Sequence, residues 1–312
     1  MNRRFGVELE ISGISREKAL KALKAVGVKV EEETYNHQTK PHWKIVPDSS
    51  IQDGFEVVSP ILHGEAGLEK VEIVARALED AGATANKSCG FHVHFDIAGI
   101  KLGAIKTIIR RYAKFEDDID AFMPSSRRDN ANKYCLSMKK IMGVNFEEAG
   151  SIERIAAIQG SRYYKVNLES YHRHGTIEFR HHSGTSNAAK ICGWIRFLAE
   201  FMDVCEKMEV GEQIQPASQL QPANRKFLEA LSGKNPVSLD YVCEKLGWLN
   251  HTARSALSRL RKAGYAIKSV KTNGKTLYIY EGKSEEDSLW AGISQKLALF
   301  YQRRAAVLAV AV

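Results

Sequence analysis

Gly90-Phe-His-Val-His-Phe-Asp-Ile97 sets two imidazoles, His92 and His94, around a single valine. Strict alternation of polar and apolar residues is the pattern of a strand, whose residues i and i+2 share a face. The two histidines then point one way while Phe91, Val93 and Phe95 point the other. Working outward, the pattern recurs twice. FGVELEIS (5–12) places Glu8 and Glu10 around Leu9, and GTIEFRHH (175–182) places Glu178 and Arg180 around Phe179. If these strands are neighbours, one face of the sheet carries carboxylates, imidazoles and a guanidinium, and helices can cover the apolar face. Between the first two strands, WKIVPDSSIQDGFEVVSPIL (43–62) adds Asp48 ahead of a further strand bearing Glu56.

These donors are oxygen and imidazole without thiolate, which suits Mg²⁺ or Mn²⁺ better than structural zinc. Four or five acids brought together repel one another, so two or more divalent cations are their natural companions. Arg180, with Arg127 and Arg162 from nearby segments, suits a phosphate group. Carboxylate-held Mg²⁺ with arginines is apparatus for phosphoryl transfer from a nucleotide. Each pair also has a plain reading. Glu-x-Glu alone reads as a solvated strand face, His-x-His as exposed or structurally bonded imidazoles, and Glu-x-Arg as a cross-strand ion pair. Three such pairs of complementary chemistry, with Gly6 and Gly90 flanking the first two, favour the site reading.

The rest of the 312 residues suits one large domain and a smaller one. Helical spacing is expected over 16–26, 67–81, 102–122, 151–159 and 187–207, and strands over 27–35, 42–48, 55–59 and 162–172. The stretch 209–224, with two prolines and four glutamines, reads as a linker between a body of residues 1–208 and a smaller C-terminal part. Residues 225–283 then read as helix, helix, helix and hairpin, with Asn250 capping the third helix and Asn273-Gly274 turning the hairpin. That order is a winged helix-turn-helix, and residues 284–312 read as a C-terminal helix.

The net charge of +8 lies in this smaller part. Residues 225–283 hold twelve Lys/Arg and four Asp/Glu, leaving 33 of each sign elsewhere. Arg254, Ser258, Arg259, Arg261 and Lys262 on the third helix, with Lys271 and Lys275 in the wing, form the candidate nucleic-acid surface, and DNA is its candidate partner. A protein-docking module is the alternative. Five scattered cysteines with no Cys-x-x-Cys argue against a disulfide framework or thiolate zinc. The start MNRRFGVELE has no apolar core of a signal peptide, and no long apolar run suggests a membrane span. A cytoplasmic protein is expected.

FGVELE, then W…D-S-S…FEVVSP, GFHVHFD, P-S-S-R, S-R-Y…N-L and GTIEFRHHSGT, in that order over residues 3–205, resemble the amidoligase family. Its members are ATP-dependent carboxylate–amine ligases related to glutamine synthetase and γ-glutamylcysteine ligase. The resemblance implies an α+β fold, with a glutamine-synthetase-like antiparallel sheet forming an open funnel and helices on its outer face. It implies that Glu8 and Glu10 bind different metal ions, that Asp48 and Glu56 complete one site, and that His92 and Glu178 ligate the second ion. His94 matches a residue that approaches nucleotide, and Arg127, Arg162 and Arg180 match arginines that hold phosphate. Asp48 departs mildly from relatives with Glu there, its shorter side chain suiting contact through a water. The implied cofactors are ATP and Mg²⁺ or Mn²⁺, and the implied substrates a carboxylate and an amine, such as an amino acid or peptide. Two other classes remain open at this point: a nucleic-acid-binding regulator that uses a ligase-like body as a sensor, and a metal-dependent phosphohydrolase. Every matched ligand position holds a competent side chain, which favours the enzyme.

Overall fold

The computed structural model describes residues 1–209, 222–232, 235–262, 267–272 and 274–280. These fall into two compact units, one holding residues 1–209 and the other the described residues from 222 to 280.

The first unit is built outward from β1 (Arg4–Ser12). Phe5, Val7, Leu9 and Ile11 are at most 2% exposed, as a strand with one face against a core requires. The chain continues through α1 (Arg16–Ala25), whose Ser15 cap accepts from the Lys18 amide. Next come β2 (Val30–Glu32), β3 (Trp43–Val46), β4 (Gly54–Val58), β5 (Leu62–His63) and α2 (Gly64–Asp80). β6 (Gly90–Asp96) and α3 (Leu102–Lys114) follow, then α4 (Glu116–Asp120), α5 (Val144–Glu148) and α6 (Ile152–Gln159). β7 (Val166–Asn167), α7 (Glu169–His174), β8 (Thr176–Ser183) and α8 (Ala188–Glu209) complete the unit.

The eight strands form one sheet in the order β2-β3-β4-β1-β6-β8-β7, with β5 also pairing β1. Glu8 lies opposite His92, Glu10 opposite Glu56, and His94 opposite Glu178. The three motif strands are therefore neighbours. Arg180 shares the polar face with Glu178 by alternation, and a bulge in β8 between the partners of Phe91 and Val93 turns His182 off that face, to pack on Phe91 and on Trp194 of α8. Tyr112 of α3 meets Phe179, and Gly67 of α2 lies against Phe5, so helices cover the apolar face.

The fold is α+β, with four departures from expectation in the first unit. The sheet is mixed, because β2 runs parallel to β3. The intervening residues return the chain to the end it left, and the buried Lys44 ammonium holds them by donating to the Asn36 and Gln38 carbonyls and the Asn36 side chain. The strand expected over 27–35 shrinks to Val30–Glu32. The helix expected over 102–122 breaks at Phe115, which lets Glu116 and Asp120 turn inward to Lys165. The strand expected over 162–172 is two residues long, because Asn167 Oδ1 accepts from the Glu169 amide and starts α7.

The second unit comprises α9 (Pro222–Leu231), β9 (Val237–Ser238), α10 (Leu239–Leu246), α11 (Asn250–Lys262), β10 (Ile267–Thr272) and β11 (Lys275–Tyr280). Its three-stranded antiparallel sheet has the order β10-β11-β9. Phe227, Leu231, Val242, Ala253, Ala256, Leu260 and Ile267 form its core, with Trp248 stacked on Phe227. Gly247 ends α10 in the left-handed conformation, at φ 65°. Asn250, expected to cap the third helix, instead donates its side-chain amide to Asp240. Most of the expected linker and the whole of the expected helix over 284–312 lie outside the described residues. Among the described residues, no helix is long and apolar enough to cross a membrane.

Candidate active site

The central strands place their polar side chains on one face, beneath a cavity of about 570 Å³. All ten residues expected at the site line it: Glu8, Glu10, Asp48, Glu56, His92, His94, Arg127, Arg162, Glu178 and Arg180. Strand register explains much of this, because side chains on adjacent strands meet when their residues are paired across the ladder. Glu8 is 3.0 Å from His92 Nδ1 through one oxygen and 3.2 Å from His94 Nε2 through the other. Glu178 approaches His92 at 3.6 Å and His94 at 3.8 Å. Glu10 accepts from the Gly90 amide and lies 3.5 Å from His92 Nε2.

Three sets of potential ligand atoms result, each with its members within 4.8 Å of one another. They are Glu10–Asp48–Glu56, Glu8–Glu56–His92 and Glu8–His94–Glu178. Glu56 links the first two sets and Glu8 the last two, so the sets form a chain across the floor. Electrostatics differ along it. Burial, followed by the carboxylates of Glu8, Glu10 and Asp48, holds the Glu56 carboxyl well above its ordinary range. Burial also pushes Glu8 upward, but His94 and His92 overcome it and leave that carboxyl well below the ordinary range. Burial opposes ionisation of Glu178 too, and Arg180 and His94 reverse the shift. Burial disfavours the His94 cation, while Glu178 and Glu8 favour it and raise the group above its ordinary value.

This donor set fits hard divalent cations. A buried carboxyl raised well above its ordinary range beside three other carboxylates is where a cation relieves repulsion, and the clustered donors are oxygens and imidazole nitrogens.

The arginines occupy the wall above. Arg180 pairs with Glu178. Arg127, 3% exposed, donates to the Cys89 carbonyl at 2.6 Å. The Nε–H groups of Arg127 and Arg180 are buried without a hydrogen-bond partner. Arg162 lies over the Tyr163 ring at 5.3 Å.

Several contributors escaped sequence reasoning. Asn167 donates to Glu178 Oε2 at 2.6 Å and fixes that carboxylate. Behind the floor, fully buried Lys165 meets Glu116 Oε1 at 3.0 Å and Asp120 Oδ1 at 2.7 Å. Asp120 also meets His181 at 2.6 Å, and His181 Nδ1 meets the Tyr112 hydroxyl at 2.9 Å. The Lys165 carbonyl accepts from the Arg180 amide, so this charged knot backs the strand that carries Arg180. Asn167 stands inside the quoted S-R-Y…N-L motif, but its partner is visible only in three dimensions. Arg173, Tyr35, Tyr134 and Tyr163 also line the cavity, without a spacing signal.

The candidate nucleic-acid residues belong to the second unit. Arg254, Ser258, Arg259, Lys271 and Lys275 are exposed. Arg261 is exposed as well, and its guanidinium donates twice to the Ile267 carbonyl, at 3.1 and 2.9 Å, and lies over Tyr278. Its hydrogen-bonding fork is therefore engaged in bracing α11 on the hairpin. Lys262 ends α11.

No curated protein matches the chain. A family model described as "Putative amidoligase enzyme" matches residues 1–202, the part that builds the sheet and its charged floor, and the chain belongs to that family.

Proposed function

We propose that the first unit is an ATP- and Mg²⁺-dependent carboxylate–amine ligase with a glutamine-synthetase-like funnel. The observation that carries this reading is the chain of three ligand sets, linked through Glu56 and Glu8, beneath buried arginines with unpartnered donors. In this reading a substrate carboxylate takes the γ-phosphoryl group of ATP, giving an acyl phosphate and ADP. An amine then attacks the acyl carbon, and inorganic phosphate leaves as the amide forms.

Bound Mg²⁺, or Mn²⁺ in its place, would supply charge neutralisation at the phosphate oxygens. Glu10, Asp48 and Glu56 would hold one ion, and Glu8, His92 and Glu178 a second. His94, bridging Glu8 and Glu178, would orient both carboxylates and face the nucleotide. Arg127, Arg162 and Arg180 would hold the phosphate and match the charge that develops on the transferring group. Asn167 fixes Glu178, and the Lys165 knot holds the Arg180 strand at its height.

The test is Mg²⁺-dependent ADP release with a pool of amino acids and peptides. Wild-type protein is expected to turn over ATP, and folded Glu178→Ala to lose turnover by at least about a hundredfold. Turnover retained in Glu178→Ala contradicts the assignment.

The second unit supports an additional proposal. Its helix–strand–helix–helix–hairpin order suits a winged helix, and exposed Arg254, Ser258, Arg259, Lys271 and Lys275 give it a basic surface for DNA. Such a module would deliver the ligase to a nucleic acid. In the alternative reading, a regulator, the first unit serves only to sense ligand.

A further inference from the structure

Four guanidinium groups line the large cavity, those of Arg127, Arg162, Arg173 and Arg180, and they account for phosphate. The floor accounts for cations. Neither recognises the flat aromatic base of a nucleotide. Among the lining residues, Tyr35, Tyr134 and Tyr163 supply the phenol rings.

Two of these rings form a unit. Tyr134 and Tyr163 meet edge to face, with centroids 5.1 Å apart and planes at 78°. The backbone fixes both. The Leu136 amide donates to the Tyr163 carbonyl at 2.7 Å, Leu136 bridges to Tyr164, and the Tyr134 amide donates to Asn132 Oδ1. The pair is tied to the phosphate arginines at two points. Arg162 precedes Tyr163 and lies over its ring, while Cys135, next to Tyr134, donates its thiol to the Arg180 carbonyl. Both rings are half-buried and line the cavity, each with a cation over it: Arg162 over Tyr163, and Lys133 Nζ 4.9 Å from the Tyr134 centroid. Tyr35 is a poorer platform, because it is 49% exposed on the β2–β3 connection.

We infer that Tyr134 and Tyr163 form the base-stacking subsite for the nucleotide, a part of the site that selects a nucleoside triphosphate over its bare phosphate chain. This rests on the nucleotide reading proposed above. Rigid aromatic faces bind bases at low entropic cost, and stacking tolerates any base that presents a flat π surface. The subsite therefore discriminates base from no base more strongly than adenine from guanine.

The test compares two probes on the full chain, Mg·ATP and Mg·tripolyphosphate, by calorimetric titration. Wild type is expected to bind Mg·ATP more tightly than Mg·tripolyphosphate. Tyr163→Ala and Tyr134→Ala are each expected to weaken Mg·ATP about tenfold and leave Mg·tripolyphosphate unchanged. Tyr163→Phe, which keeps the ring, is expected to bind both probes as wild type does. Equal weakening of both probes in the alanine variants overturns the inference, since the tyrosines then only shape the arginines. So does wild-type binding of Mg·tripolyphosphate as tightly as Mg·ATP, a result that leaves the phosphate and metal site standing. Wild type that binds neither probe overturns the nucleotide reading and the subsite with it.

Discussion

Glu8 and Glu56 each belong to two ligand sets, and their opposite electrostatic shifts show how one floor divides its work. Its histidines pull the Glu8 carboxyl below its ordinary range, whereas burial and acidic neighbours push Glu56 above it. Close packing sets the tolerance of this floor. A methyl group on Gly90 would lie 2.7 Å from His92 Nε2 and 3.0 Å from an Arg127 nitrogen, whereas one on Gly6 would meet Ser59 Oγ at an ordinary 3.6 Å. Gly90→Ala is therefore expected to displace His92 and cost about 1–3 kcal/mol, with Gly6→Ala within about 1 kcal/mol of wild type. Urea unfolding of both variants checks this, and equal stabilities contradict it. The flanking glycines look alike in the sequence. Only the distance to His92 and Arg127 on one side, and to Ser59 on the other, separates them.

At the scale of elements, alternation made β1, β4, β6 and β8 legible, because one face is polar and the other fills the core. The short β7 was not legible. Tyr163 to Leu168 alternates well enough for a strand, and the turn made by the Asn167 side chain is what ends it. The break between α3 and α4 was hidden for a related reason, since the acids that turn inward there answer to Lys165, far along the chain. β8 also carries a pH-sensitive element. Burial, with help from His181, lowers the His182 imidazole to about 3, and the Ser183 carbonyl only partly opposes this. Asp120 sits at about 2, where His181, the Asp129 amide and Lys165 outweigh burial. Both native values lie below the ordinary ones, so the unfolded chain binds more protons and folding gains as pH rises. The His182 contribution is complete above about pH 6.5 and is lost as pH falls toward 3; the Asp120 contribution fades between about 4 and 2. The urea midpoint is expected to fall from pH 7 to pH 5, and less steeply in His182→Phe. Parallel profiles for the two proteins contradict the His182 assignment.

Across the whole molecule, charge separates the two units. The excess of Lys/Arg lies wholly within residues 225–283, while the rest of the chain is balanced. Contacts with DNA phosphates release counterions, so binding by the full chain is expected to weaken steeply with salt. Arg259→Ala is expected to lower both the affinity and that salt slope. Absence of salt-dependent binding, or an unchanged slope in the variant, contradicts a DNA role. Order along the chain made the candidate site legible, because six short motifs bring their side chains to one cavity. The tyrosine pair and the Lys165 knot were not legible, since no regular spacing joins residues whose partners lie on other elements.

The most direct measurement is capture of the activated carboxylate. Protein, Mg²⁺ and ATP are incubated with a pool of amino acids and peptides and with hydroxylamine, and hydroxamates are identified by mass. A ligase of this kind is expected to yield a hydroxamate together with ADP, dependent on both Mg²⁺ and Glu178. Release of ADP and phosphate with no hydroxamate would contradict carboxylate activation and identify the floor as that of a phosphohydrolase.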